Sequence, residues 1–129
     1  MAAYTIEIID ITKNSENIES LYNSLMDFKN KGIIRMGDAA ASKILHILIP
    51  ELFVMWDKKV KQTKRYLYYS NFLIDTQNFI KSIKIDFDKS YPGIDIEEFL
   101  QDNLKYPLKK TTAKFVDEFN WYQTCGYAR

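Results

Sequence analysis

Cysteine, histidine, glycine and proline are all scarce in this chain of 129 residues. The single cysteine, Cys125, excludes an internal disulfide and a cysteine-based zinc site, and it makes a reducing, cytoplasmic compartment the expected location. The single histidine, His46, excludes a metal site built from several histidines. Four glycines and three prolines supply few turn signals, which disfavours an all-β chain. We therefore expect a helical domain that holds no metal.

Common cofactor and metal motifs are missing as well. The sequence contains no GxxxxGK[ST], no GxGxxG and no HExxH, and we expect no cofactor. The opening MAAYTIEIID lacks the pattern of a signal peptide, and the longest apolar run is far too short to span a membrane. The expected protein is a cytoplasmic monomer with no membrane partner.

The residues that are abundant give a folded globule with an uneven distribution of charge. Apolar residues make up 47% of the chain and aromatic residues 15%, enough for one domain over residues 1–129. The net charge is only +1, but residues 31–84 carry ten Lys/Arg against four Asp/Glu. Residues 1–30 have two cations against five acids, and residues 85–129 have six against eight. The basic middle third is either a surface for a polyanion or a solvated helix face.

The spacing of the apolar residues predicts an all-α domain, a single compact bundle of about five to six helices. YTIEIIDI (4–11) alternates and is β-branched, which predicts a short N-terminal strand or an extended arm. Ser15, Asp38 and Asp57 have the positions of N-caps. Helices are expected from Ser15 to about Lys31, from Asp38 to Pro50, from Asp57 to about Lys84 with or without a break near Ser70, and over 95–104 and 110–123.

The second predicted helix, DAAASKILHILI, is apolar nearly all round, which is usual for the buried centre of a bundle. We expect a core that contains Ala40, Ile44, Leu45, Leu48, Leu21, Leu25 and Phe72. Lys43 either points into a functional cleft or extends its ammonium group to the surface. His46 is either a satisfied core residue or a group that orients a substrate or Asp57. The acid pair Asp117-Glu118 has the pattern of a solvated helix face.

One acid separates an apolar run from a basic run in ELFVMWDKKVKQTKR, residues 51–65. Asp57 follows the apolar residues 52–56. Five cations come within the next eight positions, namely Lys58, Lys59, Lys61, Lys64 and Arg65. Asp57 is either a helix cap alone or a catalytic acid held beside a polyanion. The two roles are compatible, because the N–H groups of a helix N-terminus stabilise an ionised carboxylate.

Residues 37–67, GDAAASKILHILIPELFVMWDKKVKQTKRYL, resemble the catalytic segment of the helix–hairpin–helix DNA glycosylase superfamily. As in that family, Gly37 opens a helix of small and aliphatic residues, a bend ends on Asp57, and a valine and basic residues follow. The family's Gly-hydrophobic-Gly hairpin has only a degenerate counterpart in GIIRMGD (32–38), and the segment before the acid is shorter. Only Asp57 is therefore carried over, and Lys43 is given no role as a Schiff-base lysine.

The resemblance implies a monofunctional DNA N-glycosylase without a metal. The Asp57 carboxylate would stabilise the oxocarbenium-like transition state on the deoxyribose. The five cations Lys58, Lys59, Lys61, Lys64 and Arg65 would bind the backbone of double-stranded DNA around a flipped nucleotide. The candidates for the substrate pocket are Lys43, His46, Trp56, Tyr66, Tyr69 and Trp121. A place in the core is the alternative for each of the aromatic residues.

The expected substrate is a damaged or modified base, and a hypermodified phage base suits the abundance of aromatic residues. The alternative function is a non-catalytic helical module that binds DNA or another protein. The two functions place different requirements on Asp57. Catalysis needs its carboxylate in a pocket beside the basic surface, whereas a binding module needs only the cations.

Overall fold

Six helices make up most of the residues that the computed structural model describes, which are 5–27, 29–30, 34–35, 37–56, 58–104 and 110–125. They are α1 (Ile11–Met26), α2 (Asp38–Leu48), α3 (Lys58–Lys64), α4 (Tyr69–Ser90), α5 (Ile96–Leu104) and α6 (Thr112–Cys125). Two short segments, β1 (Lys29–Asn30) and β2 (Ile34–Arg35), pair antiparallel. The expected all-α bundle of five to six helices is confirmed. Within these ranges, no helix combines the length and the apolar character needed to cross a membrane.

The chain before α1 forms a turn where the sequence predicts a strand or an extended arm. The N–H groups of Ile8 and Ile9 donate to the carbonyl of Thr5, at 3.2 and 3.1 Å. Gln77 of α4 donates to the carbonyls of Ile6 and Ile9, at 2.9 and 2.8 Å. Because a side chain satisfies these backbone groups, they need no partner strand.

α1 begins at Ile11 rather than after Ser15, because Asp10 is its N-cap. The Asp10 carboxylate accepts a hydrogen bond from the N–H of Lys13 at 3.0 Å, the usual capping contact. The hydroxyl of Ser15 donates to the carbonyl of Thr12 inside the helix. The helix is therefore longer at its N-terminus than the sequence predicts.

α2 has Gly37 at its N-cap, so the predicted cap, Asp38, is the first helical residue instead. The Asp38 carboxylate accepts a hydrogen bond from the hydroxyl of Tyr22 and lies 3.6 Å from the ammonium nitrogen of Lys61. Asp38 thus links the start of α2 to both α1 and α3.

The buried stripe of α2 is narrower than its apolar sequence predicts. Ala41, Ser42 and Leu45 are buried, whereas Leu48 is 66% exposed. The predicted core is corrected accordingly: Leu45 and Phe72 are buried, Ile44 and Leu25 are half-buried, and Ala40, Leu48 and Leu21 are exposed. α2 lies at the edge of the core, because the neighbouring segments cover only one of its faces.

The long helix predicted after Asp57 is divided into α3 and α4, and the break lies at 65–68 rather than near Ser70. Arg65 has a φ of 59°, in the left-handed region, and its N–H donates to the carbonyl of Lys61 at 2.9 Å. A residue in this conformation is a common way to end a helix. The last two predicted helices are confirmed as α5 and α6, with ends that differ by no more than two residues.

Aromatic rings form the centre of the core. Tyr22 of α1 stacks on Tyr69 of α4, with ring centroids 4.8 Å apart. Trp56, from the segment between α2 and α3, stacks on Phe72 of α4 at 5.2 Å. Such ring pairs add to the stabilisation that comes from burial alone. They fix the segment that leads into α3 against α1 and α4.

Candidate functional site

The backbone of Trp56, the residue before Asp57, is held by Ser42 of α2. The Ser42 hydroxyl oxygen accepts a hydrogen bond from the N–H of Trp56 at 3.0 Å and lies 3.0 Å from the Trp56 carbonyl oxygen. Ser42 is completely buried, so water does not compete for these contacts. Ser42 therefore fixes the position from which the chain continues to Asp57.

His46 and Tyr69 hold the part of the segment just before Trp56. His46 Nδ1 lies 2.6 Å from the carbonyl oxygen of Phe53, and it carries the hydrogen because a carbonyl only accepts. The hydroxyl of Tyr69 donates to the carbonyl of Val54 at 2.6 Å, and burial raises the pKa of Tyr69 well above its usual value. In the structure, both predicted pocket residues support the backbone of this segment.

The indole of Trp56 is bound by a chain of polar contacts. Its Nε1–H donates to the hydroxyl of Tyr22 at 2.8 Å, and this hydroxyl donates to the carboxylate of Asp38. Lys61 Nζ lies 5.3 Å from the centre of the Trp56 ring, a cation–π distance. Burial, together with the Asp38 contact, raises the pKa of Tyr22 far above its ordinary value. The Tyr22 hydroxyl therefore stays protonated and keeps its donor role.

A cavity of about 340 Å³ lies beside Trp56 and is lined by residues of α2, α3 and α6; it is named the site cavity below. Its wall contains two indoles, two cations and two carboxylates, from Trp56, Trp121, Lys43, Lys114, Asp117 and Glu118. The volume lies within the range typical of small-molecule sites. Aromatic surface and both signs of charge thus meet beside Trp56, the residue that precedes Asp57 in the sequence.

The pKa of Asp117 is raised by burial of its carboxyl in the wall of the site cavity. The ammonium group of Lys114, 3.1 Å from Asp117 Oδ2, opposes this rise without cancelling it. A carboxyl with a raised pKa exchanges its proton closer to neutral pH, which is a common property of catalytic acids and bases. Asp117 is therefore a candidate for proton transfer or for recognition of a polar ligand.

Asp117 and Glu118 have different environments although they are adjacent in sequence. The side chain of Asp117 is 13% exposed, whereas that of Glu118 is 38% exposed and binds Lys110 through both oxygens at 2.7 and 2.9 Å. The interpretation of the pair as a solvated helix face is wrong for Asp117. A signal was present in the helical spacing, because Asp117 comes four residues after Ala113 and three before Asn120, and both of these are buried.

Three of the six predicted pocket residues, Lys43, Trp56 and Trp121, line the site cavity. Lys43 is exposed and Trp121 is 48% exposed, so both reach solvent. Tyr66 lines a different cavity of about 330 Å³. Its hydroxyl donates to Asp75 at 2.5 Å, and burial together with this bond raises the pKa of Tyr66 to about 12.

The predicted DNA-binding cations lie in and directly after α3, which also contributes Val60 to the wall of the site cavity. Lys58, Lys59 and Arg65 are exposed, and Lys61 is half-buried through its contacts with Asp38 and Trp56. Asp57 and the side chain of Lys64 lie outside the described residues. The catalytic role of Asp57 thus stays a prediction.

Comparisons of the chain with protein-family models, with curated proteins and with solved structures gave no match. The groups of the site itself therefore define what it can do chemically. A carboxyl with a raised pKa, two lysines and two indoles surround one cavity, and exposed lysines begin the next helix. Such groups can stack a flat ring, bind its polar edge and hold a neighbouring anion.

Proposed function

We propose that this chain is a monofunctional DNA N-glycosylase whose site cavity holds a base flipped out of the duplex. The observation that carries the proposal is the position of the cavity beside Trp56, the residue that precedes Asp57 in the sequence, with exposed Lys58 and Lys59 next along the chain. A flipped base needs stacking surface and hydrogen-bonding groups, and the phosphates beside it need cations. The described residues around the cavity include aromatic rings, hydrogen-bonding groups and cations.

Trp121 and Asp117 are the proposed contacts of the base. About half of the Trp121 surface is exposed, which leaves ring surface for a base that enters the cavity. Asp117 precedes Trp121 by four residues, so the two side chains lie on one face of α6. A base stacked on the indole would therefore present its polar edge to the Asp117 carboxyl, with Lys114 as a further donor.

Asp57 is proposed as the charge that promotes cleavage. As the C1′–N bond breaks, its electron pair leaves with the base, and positive charge develops on the deoxyribose. The Asp57 carboxylate stabilises this charge and takes the proton of the water molecule that attacks C1′. The departing base needs a proton, and Asp117 is suited to supply it because its pKa is raised. No lysine acts as a nucleophile, so no covalent protein–DNA intermediate forms.

The test is incubation with duplexes that carry a panel of damaged and modified bases, including hypermodified pyrimidines, followed by cleavage at abasic sites. We expect abasic sites from at least one duplex and no adduct that borohydride can trap. Asp57→Asn should slow excision by at least about a hundredfold, since it removes the charge that meets the transition state. Folding and DNA affinity should remain, because Asn caps a helix about as well as Asp.

Asp86→Asn is the matched control, because it removes a carboxylate that is 80% exposed on α4, and it should retain full activity. A fully active Asp57→Asn protein would refute the assignment of Asp57. Failure of the whole panel to yield abasic sites would refute the glycosylase. Binding of duplex DNA without excision would support the alternative, a non-catalytic DNA-binding module that uses the exposed Lys58 and Lys59.

A further inference from the structure

A larger cavity, of about 490 Å³, lies between α4, α5 and α6; it is named the apolar cleft below. Val116 and Phe119 of α6 line it, whereas Asp117 and Trp121 line the site cavity. At 100° per residue, these two pairs point to opposite sides of the helix. The apolar cleft is therefore separate from the proposed base pocket.

The wall of the apolar cleft consists almost entirely of aliphatic and aromatic side chains. They include five phenylalanines, Phe79, Phe87, Phe99, Phe115 and Phe119. Phe79, Ile83 and Phe119 are each about 40% exposed, so these apolar surfaces remain in contact with water in the free protein. A ligand that displaced this water would remove apolar surface from solvent and restore the dispersion contacts that an open cleft lacks.

The polar side chains at the edge of the cleft already have partners. Lys84 pairs with Glu7 at 2.8 Å, and Glu97 accepts a hydrogen bond from the N–H of Thr112 at 2.7 Å. The hydroxyl of Thr112 also contacts both carboxylates. A charged head group placed here would lose its water and would find a cation and carboxylates that are already paired.

We infer that the apolar cleft is a binding site for a neutral, predominantly apolar small molecule. Its volume lies in the lower part of the range for small-molecule sites, which suits a single medium-length alkyl chain or a small ring system. The paired charges at its edge select against anions and cations of the same shape. This site is independent of the proposed glycosylase activity.

The test is a matched series of 1-octanol, octanoate and octylammonium, measured by calorimetry. The two ions are used below micelle formation and octanol below its solubility limit. Octanol should bind saturably, and the two ions should bind at least about tenfold more weakly, because each has to give up the hydration of its charge. Ile83→Trp should fill the cleft and weaken octanol binding at least about tenfold by removing the space for it. Ile85→Trp is the matched control, since Ile85 is 60% exposed on the same helix and lies outside the cleft, and it should leave binding unchanged.

A second measurement does not depend on any variant. In the wild-type protein, nuclear Overhauser effects should connect octanol methylene protons with the methyl groups of Ile83 and Leu100. The proposal is overturned if octanol does not bind saturably, if the ions bind as tightly as octanol, or if the contacts map elsewhere. It is also overturned if the protein self-associates through this face and octanol cannot compete, because a second copy is then the occupant.

Discussion

Asp117 places a carboxyl group in a wall of the site cavity that water reaches only in part. Burial raises its pKa, and the ammonium group of Lys114 reduces this effect without removing it. The folded protein therefore holds a proton at this position more tightly than the unfolded chain does. A difference of this kind makes the free energy of unfolding depend on pH.

Asp117→Asn should gain stability relative to the wild type as the pH rises. The stabilisation from protonated Asp117 is fully present below the pKa of the unfolded chain and is lost as the pH rises through the raised folded pKa. Asparagine is neutral throughout. The difference in unfolding free energy between the two proteins should therefore grow above about pH 4 and then level off. Urea unfolding at a series of pH values measures this difference.

Asp86→Asn is the control for this experiment, because its carboxyl is exposed and lacks the burial that produces the effect. Its stability relative to the wild type should change less with pH than that of Asp117→Asn. A difference for Asp117→Asn that stays constant, or that falls as the pH rises, would contradict the proposed effect of burial on this carboxyl.

At the level of residues, the sequence was informative for part of the site. Lys43 is a cation in an otherwise apolar helix, and Trp56 directly precedes the acid identified by the resemblance, so both were recognisable before the fold was known. Asp117 was harder to recognise, because two adjacent acids on a helix also fit a solvated face. Its spacing from Ala113 and Asn120 indicates a buried side chain only if that face of α6 packs against the rest of the protein. The packing of α6 buries Asp117 more than Glu118, and α6 contacts α3, which is distant in sequence.

At the level of elements, α2 shows that an apolar helix can lie at the edge of a core. Its sequence does not indicate which face is covered, since nearly every face is apolar. Contacts with α1 and with the segment before α3 determine which face of α2 is buried. They bury Ser42, whose hydroxyl binds the backbone of Trp56, and leave Leu48 exposed.

Leu45→Ala and Leu48→Ala should have very different effects, although the two residues are three positions apart on α2. Leu45 has no exposed surface, and its truncation should lower the free energy of unfolding by about 2–5 kcal/mol. Leu48 is 66% exposed, and its truncation should change the free energy by no more than about 0.5 kcal/mol. Chemical denaturation of both variants measures these losses. Similar losses for the two variants would show that α2 does not bury Leu45 while leaving Leu48 exposed.

The ends of helices were predicted less well than their existence, and long-range contacts explain part of the difference. The turn before α1 depends on Gln77, which binds the carbonyls of Ile6 and Ile9 from about seventy positions away in the sequence. The break at 65–68 depends on the left-handed conformation of Arg65 and on the burial of Tyr69 at the start of α4. Local sequence patterns do not indicate partners that are so distant in the sequence.

At the level of the whole molecule, the positive charge of the middle third is divided between internal ion pairs and exposed positions. Lys61 pairs with Asp38 and Lys84 pairs with Glu7, so part of this charge is neutralised within the fold. The sequence predicted a basic region but not this division, because Asp38 and Glu7 are distant in sequence from the lysines that they pair with. The binding of a polyanion would therefore depend most on the exposed cations at the start of α3.

Replacement of both Lys58 and Lys59 by alanine should weaken the binding of duplex DNA and reduce its dependence on salt. Each lost phosphate contact removes about 0.9 from the slope of log K against log salt concentration, so the slope should fall by about 2. The matched control replaces Lys81 and Lys89, two exposed lysines of α4, and lowers the net charge by the same amount. Fluorescence anisotropy at several salt concentrations measures both double variants. A general effect of net charge would weaken DNA binding equally in the two double variants. A binding surface at α3 predicts weaker binding only when Lys58 and Lys59 are replaced. Equal losses of affinity, or a wild-type protein that does not bind DNA at low salt, would refute the proposed DNA-binding surface of the glycosylase.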